Sequence, residues 1–160
     1  YAQEMKLGIS KLLLEIAQQN IAEKTRDNIG VLIRLVTDLD NICDGCYTMA
    51  LMQEKAMRKK LVFSPEHLGQ LEPFTRLVDE FLSFITPRIG KPLGDGELAE
   101  AAEIENRIDA WRAELKKIAR KRIKSGSDVK LELQYIDLIR HIEKTGDYAW
   151  SVAVALKELK

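Results

Sequence analysis

Apolar residues recur at intervals of three and four along nearly the whole chain, and no segment alternates apolar and polar residues over the length of a strand. This period predicts an all-helical fold. Capping and turn residues divide the pattern into five helices. The predicted helices extend from near the start to about Glu23, from Thr25 to about Leu61, from Ser64 to about Arg88, from Asp95 to just before Gly126, and from Asp128 to the C-terminus.

Capping residues support these boundaries. Ser64, Pro65 and Glu66 combine a capping hydroxyl, a proline suited to the first helical position and an acid in the first turn. Gly126 is expected to end the fourth helix. Because the connections are mostly short, we expect sequential helices to be antiparallel neighbours. The predicted fold class is therefore an all-α, up-down helical bundle.

Composition and charge narrow the class of protein. The chain has 160 residues, 46% hydrophobic and 31% charged, as expected for one folded helical domain. Its net charge is 0, whereas nucleic-acid binders carry a basic excess, so we expect no nucleic-acid partner. No apolar run reaches the roughly 18 residues that a membrane helix needs. The chain begins with Tyr1 rather than Met, so we expect a piece of a longer protein, in which any membrane segment lies upstream.

Cys43 and Cys46 form a C-x-x-C pair, a spacing used in redox and metal sites. Here the pair falls inside a helical pattern with no strand before it. A zinc site would need two further ligands, and His67 and His141 are the only histidines. We therefore expect two buried, reduced cysteines in a reducing compartment.

The second and fifth predicted helices match each other at an offset of 103 residues. The matched pairs include Leu35 with Leu138, Leu39 with Ile142, Asp40 with Glu143, and Asp44 with Asp147. Asp40 and Glu143 fall on the apolar stripes, where an unpaired carboxylate is costly. We therefore expect both residues to face the interior of the bundle, as part of candidate metal sites.

Four acids are predicted to meet across the hairpin of the fourth and fifth helices. The midpoints of the pairs Glu105/Asp109 and Glu143/Asp147 each lie nineteen residues from Gly126, so the pairs stand at one level. Two like charges about 4 Å apart repel by about 4 kcal/mol at an effective dielectric of about 20, so the cluster needs a cation, shared protons or basic partners. Oxygen ligands suit Mg²⁺, Ca²⁺, Mn²⁺ or iron, and zinc is left open. The alternative is that these acids face water or pair with Arg107, Arg112 or Arg140.

A second, incomplete site is predicted in the first hairpin, which turns near Lys24. Asp40 and Asp44 lie about eighteen residues after that turn, and the mirrored position is near Lys6. Glu4 is acidic there, but the matching second acid is missing.

Two basic clusters are predicted to lie at one end of the bundle, because the second and fourth helices run in the same direction. The clusters are Lys55, Arg58, Lys59 and Lys60, and Lys116, Lys117, Arg120, Lys121, Arg122 and Lys124. Cations at helix C-termini are each favoured by about 0.3–1 kcal/mol, which accounts for a few of these residues. The other interpretation is an electropositive end that faces anionic lipid headgroups or an acidic partner loop.

Residues 140–149, RHIEKTGDYA, resemble the signature of the PhoU family, which reads roughly L-E-R-I-G-D before small residues. The matching positions are Glu143, Gly146 and Asp147, and the departures are Lys144 and Thr145. Residues 105–109 are similar to the family's other acidic motif, and residues 40–44 to a degraded copy of the first. The entry to the fourth helix, residues 94–99, also looks like that of the family.

The resemblance implies two tandem three-helix repeats, with residues 1–62 as an incomplete first repeat and residues 63–160 as the complete second. It implies metal ions held by the acidic motifs and a role in the control of phosphate uptake. One branch of the family forms the cytoplasmic tail of Na⁺/phosphate cotransporters. The expected partner is then the transporter portion of the same chain or another chain, at the inner face of the cell membrane. A second copy of the chain is a further candidate partner.

Two alternative functions are considered. A di-iron enzyme would carry Glu-x-x-His pairs on facing helices. The residues three positions before His67 and His141 are Ser64 and Leu138, which argues against this enzyme, and no other enzyme class is indicated. The second alternative is a metal-free helical scaffold for protein–protein interaction.

Overall fold

The computed structural model describes all 160 residues and contains helices but no strand. The elements are α1 (Ala2–Ala17), α2 (Glu23–Arg58), α3 (Pro65–Ile85), a 3₁₀ turn (Thr86–Arg88), α4 (Asp95–Lys124) and α5 (Val129–Glu158). The prediction of an all-α fold built from five helices is confirmed. No helix combines the length and the hydrophobicity that crossing a membrane requires.

Side-chain caps begin two helices where the sequence predicts them. The hydroxyl of Ser64 accepts a hydrogen bond from the backbone N–H of His67 at the start of α3. The Asp128 carboxylate accepts one from the N–H of Lys130 at the start of α5, at 2.8 Å. After α4, Gly126 takes a left-handed φ of +94°, which a side chain would disfavour. Local chemistry therefore sets both ends of the α4–α5 connection.

The first connection is longer than predicted and begins earlier in the chain. α1 ends at Ala17 rather than near Glu23, because residues 18–20 are polar, bury no apolar face and form the turn instead. α2 then begins at Glu23, two residues before the predicted Thr25. The turn of the first hairpin consequently lies near Asn20 rather than near Lys24.

The fourth helix is capped one residue earlier than predicted. Gly94 is the cap, and Asp95 lies in the first turn. The carboxylate of Glu97 accepts a hydrogen bond from the N–H of Gly94 at 3.0 Å. The acid at the third helical position therefore satisfies the backbone donor of the cap residue, as in one half of a capping box. Asp95 instead forms an ion pair with Lys157 of α5.

α5 is the central helix, and it packs against α2, α3 and α4. α2 makes its principal contacts with α5 rather than with its chain neighbour α3, which differs from the predicted order of neighbours. Arg34 pairs with Glu158, and Gln134 donates to the carbonyl of Met52, so α2 and α5 are antiparallel. The core contains 23 buried residues, but α1 buries none because it packs mainly on α2 alone.

Candidate functional site

The acids predicted to meet lie on facing surfaces of α4 and α5. A Cβ built on Gly146 of α5 would stand 2.9 Å from Cδ1 of Ile108 in α4, so the missing side chain allows a close approach of the two helices. This contact sits beside the four acids and holds their helices together. The acids interact electrostatically across the gap: Glu105, Asp109, Glu143 and Asp147.

Arg112 stands among these acids. Its Nη2 lies 3.1 Å from Oδ1 of Asp109, and its Nη1 donates a hydrogen bond to Oε1 of Glu143. Glu143 is 7% exposed, as is Asp40, its counterpart in α2. The prediction that both residues face the interior is therefore confirmed. Arg112 is one of the three basic partners considered from the sequence, and it supplies part of the neutralisation that the cluster needs.

The remaining acid charge is poorly compensated. Burial raises the pKa of Glu143, and the negative charge of Asp147 raises it further against the opposing effect of Arg112. Partial desolvation against α4 also raises the pKa of Asp147, whose side chain stays largely exposed, and burial raises the pKa of the half-buried Glu105. The charge of Asp109 adds to both shifts. Arg112, with Lys116 near Glu143 and Lys144 near Asp147, opposes these shifts without cancelling them. Burial and mutual repulsion therefore outweigh the neutralisation that nearby cations supply to these acids.

A multivalent cation is the chemical species that would relieve this repulsion. The donor set is made of carboxylate oxygens, which suit hard and intermediate cations. As the side chains stand, no group of three or more His, Cys, Asp or Glu residues is close enough together to hold an ion. Binding would therefore require Arg112 to move away from Glu143 and the acids to turn toward one another.

The candidate site of the first hairpin is closed by a lysine. Nζ of Lys6 donates a hydrogen bond to Oδ2 of the buried Asp40 at 2.9 Å. The repeat offset of 103 residues places Lys6 at the position of Asp109, and Ala2 at that of Glu105. Asp44, the other predicted ligand, is exposed. This copy therefore replaces the second pair of acids with a base and an apolar residue, and its missing half is explained by sequence.

The expectation of buried cysteines is wrong. Cys43 and Cys46 are both unpaired thiols, and both are exposed on α2. Cys43 lines a groove between α1 and α2 beside Leu39. Cys46 lines a groove between α2, α3 and α5 beside Ile142, so both thiols lie at open seams between helices rather than in the core. Because α2 buries few residues over its length, most of its apolar pattern does not correspond to core.

A buried polar network links α3, α4 and α5 at the opposite end of the α4–α5 hairpin from Gly94. Nε of Arg122 donates to Oε1 of Glu132 at 2.8 Å, and the Glu132 side chain is 1% exposed. Nε2 of His67 lies 3.2 Å from the same oxygen. Nη1 of Arg122 donates to Oε1 of Gln70, which also accepts from the Tyr135 hydroxyl.

The hydrogen bonds of His67 determine its tautomer. Nδ1 accepts from the backbone N–H of Ser64 at 3.3 Å and lies 2.7 Å from the Ser64 hydroxyl, so Nδ1 carries no proton. Nε2 therefore carries the proton and donates it to Glu132. The cap of α3 is thus connected directly to the buried carboxylate of α5.

This network was missed in the sequence, although a signal for it exists. Taken alone, Glu132 is explained as an acid near a helix start, and Arg122 as a cation at a helix end. The buried stripe of α5 continues at intervals of three and four from Leu156 back through Ile139 and Tyr135, and the next position is Glu132. Extending the stripe by one step would have predicted a buried acid in need of a basic partner.

Both basic clusters lie at one end, as predicted. α2 and α4 are each antiparallel to α5, so their C-termini meet the start of α5. One residue assigned to the basic cluster of α4, Arg122, belongs to the buried network rather than to the surface. Two others are paired on the surface, Arg58 with Glu54 and Lys117 with Glu114.

Asp147 provides a test of the uncompensated charge. A carboxyl with a raised pKa costs stability above that folded-state pKa and costs nothing below its ordinary value of 3.8. We expect Asp147→Asn to stabilise the protein at pH 7 in EDTA, by up to about 0.5 kcal/mol given its exposure. The gain should shrink as the pH falls toward 4, measured by urea unfolding. Asp137→Asn, at an exposed site paired with Arg140, should show no such trend.

Comparisons with known proteins give no match, so the site is interpreted from its own geometry. The chain matches no protein-family model, and neither curated proteins nor solved structures give a significant match. The resemblance of residues 140–149 and 105–109 to the PhoU signatures therefore stays a prediction from sequence.

Proposed function

We propose that this chain is a non-enzymatic regulatory domain whose α4–α5 acid cluster binds a multivalent cation. The observation that carries the proposal is the placement of four carboxyls, Glu105, Asp109, Glu143 and Asp147, on the facing surfaces of two helices that approach closely at Gly146. Burial and, after it, the charges of neighbouring acids raise the pKa of three of them, Glu105, Glu143 and Asp147. A bound cation stabilises the ionised form of all three at once. Mn²⁺ and iron are the first candidates, with Mg²⁺ and Zn²⁺ as alternatives.

The cation would act by exchanging places with Arg112. Arg112 pairs with Asp109 on its own helix and with Glu143 on the facing helix, so it bridges α4 and α5. A cation that takes over these carboxylates releases the guanidinium and changes the charge of the exposed surface beside the site. Such an exchange gives the domain two states whose populations depend on cation concentration.

The setting we propose is the control of phosphate transport, and it rests on the resemblance to the PhoU family. The domain would lie at the cytoplasmic face of the cell membrane, beside the transporter portion of the same chain or a partner chain. The end that carries Lys55–Lys60 and Lys116–Lys124 would face anionic headgroups or an acidic loop of the transporter. Each exposed lysine near an anionic surface contributes about 1 kcal/mol, screened by salt.

A metal-free scaffold is the second candidate, and Arg112 is the observation in its favour. The ion pairs of Arg112 with Asp109 and Glu143 neutralise part of the cluster without any metal. In that case the acids and Arg112 are a structural pairing of α4 with α5, and the domain acts through its surface alone.

Thermal unfolding with and without cations tests the proposal. Mn²⁺ should raise the melting temperature by binding the native state, with about 2.7 kcal/mol of added stability at a hundredfold excess over Kd. The variant Glu143→Gln/Asp147→Asn should lose this shift, because it removes two of the four ligands.

The control is Glu100→Gln/Asp137→Asn, which removes the same charge from exposed positions of α4 and α5. It should keep the full shift. Equal melting temperatures with and without Mn²⁺, iron, Mg²⁺ and Zn²⁺ in the wild-type protein would favour the scaffold instead.

A further inference from the structure

A groove between the end of α2 and the start of α5 gathers three lysines. Its cavity has a volume of about 310 Å³, within the range of small-ligand sites. Two apolar side chains, Met52 and Leu133, line it together with polar residues. The polar residues are Lys55 and Lys59 of α2, and Lys130, Gln134 and Asp137 of α5. We call this cavity the lysine groove.

The three lysines have no ion-pair partner in the protein. No carboxylate lies within ion-pair distance of Lys55, Lys59 or Lys130. The one acid in the lining, Asp137, instead pairs with Arg140 one turn further along α5, at 3.3 Å. The groove therefore presents three unpaired lysines against a single carboxylate, which is itself paired outside the groove.

The helix-end explanation covers two of these lysines but not the third. Lys55 and Lys59 lie at the C-terminus of α2, where the helix dipole favours cations. Lys130 lies in the first turn of α5, where the dipole disfavours a cation and favours an anion. A cation placed against the dipole and next to two unpaired cations raises the positive potential that an incoming anion would meet.

The backbone holds one side of the groove in a defined position. After α2, Lys60 takes a left-handed φ of 56°. The N–H of Lys60 bonds the carbonyl of Met57, and the N–H of Leu61 bonds that of Ala56, each at 3.0 Å. This pair of bonds is the Schellman ending of a helix, and it fixes the last turn that carries Lys59. The lysine stems are thus anchored on ordered backbone on both sides of the groove.

We propose that the lysine groove binds a multiply charged phosphate group. Lysine ammonium groups bind phosphate oxygens as point charges, and three of them supply enough positive charge for a phosphate monoester, about −2 at pH 7, or for the more highly charged pyrophosphate. The same chemistry is offered by a soluble phosphate compound and by the phosphate headgroup of a lipid. The proposal does not depend on cation binding by the α4–α5 acids, because none of those acids lines the groove.

Titration with pyrophosphate, followed by calorimetry in EDTA at constant ionic strength, tests the soluble source. Flotation with phosphatidylcholine vesicles, with and without phosphatidic acid, tests the lipid source. We compare the wild type with Lys55→Gln/Lys59→Gln/Lys130→Gln. The control is Lys24→Gln/Arg26→Gln/Lys91→Gln, which removes three exposed, unpaired charges from the opposite end of the bundle, away from both basic clusters.

For whichever probe the wild type binds, we expect the groove variant to bind it with an affinity at least about tenfold lower. The control variant should lose about twofold in affinity or less. Binding of pyrophosphate identifies a soluble ligand, and binding of phosphatidic acid vesicles alone identifies a lipid. The proposal is overturned if the two triple variants lose binding equally, or if the wild type binds neither probe at low salt. Because EDTA removes multivalent cations, either result is independent of the metal proposal.

Discussion

Arg122→Ala is expected to destabilise the protein by about 3–5 kcal/mol, the cost of leaving one member of a buried ion pair without its partner. Glu132 is fully buried, and its Oε2 already lacks a hydrogen-bond partner. Without Arg122, only the neutral imidazole of His67 would remain to donate to this carboxylate. The free energy of unfolding from urea titrations monitored by circular dichroism at pH 7 gives the measurement.

A double variant that restores part of the stability and a control at an exposed ion pair show whether the loss comes from the buried charge. Arg122→Leu/Glu132→Leu should recover part of the loss, because an apolar pair of similar volume leaves no buried charge. Lys117→Ala breaks an exposed pair with Glu114 and should cost less than about 1 kcal/mol. If Arg122→Ala costs no more than Lys117→Ala, the network does not contribute to stability as described.

Gly146→Ala is expected to destabilise the protein by about 1–3 kcal/mol, the usual cost of overpacking a tight core. The added methyl group would lie 2.9 Å from Cδ1 and 3.2 Å from Cγ2 of Ile108. Ile108 is 2% exposed, so it has little room to retreat. The substitution should therefore push α5 away from α4 beside the acid cluster.

Gly30 offers the matched control for this change. It is also a glycine inside a long helix, but nothing lies within 4 Å of an added Cβ. Gly30→Ala should stabilise the protein by up to about 1 kcal/mol through helix propensity alone. Opposite signs at the two glycines are the expected result in urea unfolding. A stabilising Gly146→Ala would mean that the α4–α5 contact is looser than the structure indicates.

The parts of the fold that sequence predicts well are those set by local chemistry. The hydroxyl of Ser64, the carboxylate of Asp128 and the left-handed Gly126 each act within a few residues of their position. The period of the apolar stripe is equally local, and it placed Asp40 and Glu143 in the interior. These features need no knowledge of which helix becomes the neighbour.

The features that sequence did not predict depend on the choice of neighbour. α2 packs chiefly against α5, so Cys43 and Cys46 lie at the open seams that α2 forms with its other neighbours and stay exposed, although they lie in a helical pattern. The partnership of Arg122 with Glu132 joins two helices, and each residue alone has an ordinary helix-end explanation. Equal spacing from a turn predicts that acids share a level, but it does not say that Arg112 occupies the space between them.

Equilibrium dialysis against Mn²⁺, followed by elemental analysis of the protein compartment, tests the central claim most directly. We expect the wild-type protein to retain Mn²⁺ and Glu143→Gln/Asp147→Asn to lose it. Arg112→Gln should bind Mn²⁺ more tightly than the wild type, because the competing cation is gone. Arg107→Gln removes an equal charge at an exposed pair with Glu80, 3.6 Å apart, and should leave affinity nearly unchanged. If all four proteins retain equal Mn²⁺, or none, the acid cluster is not a cation site.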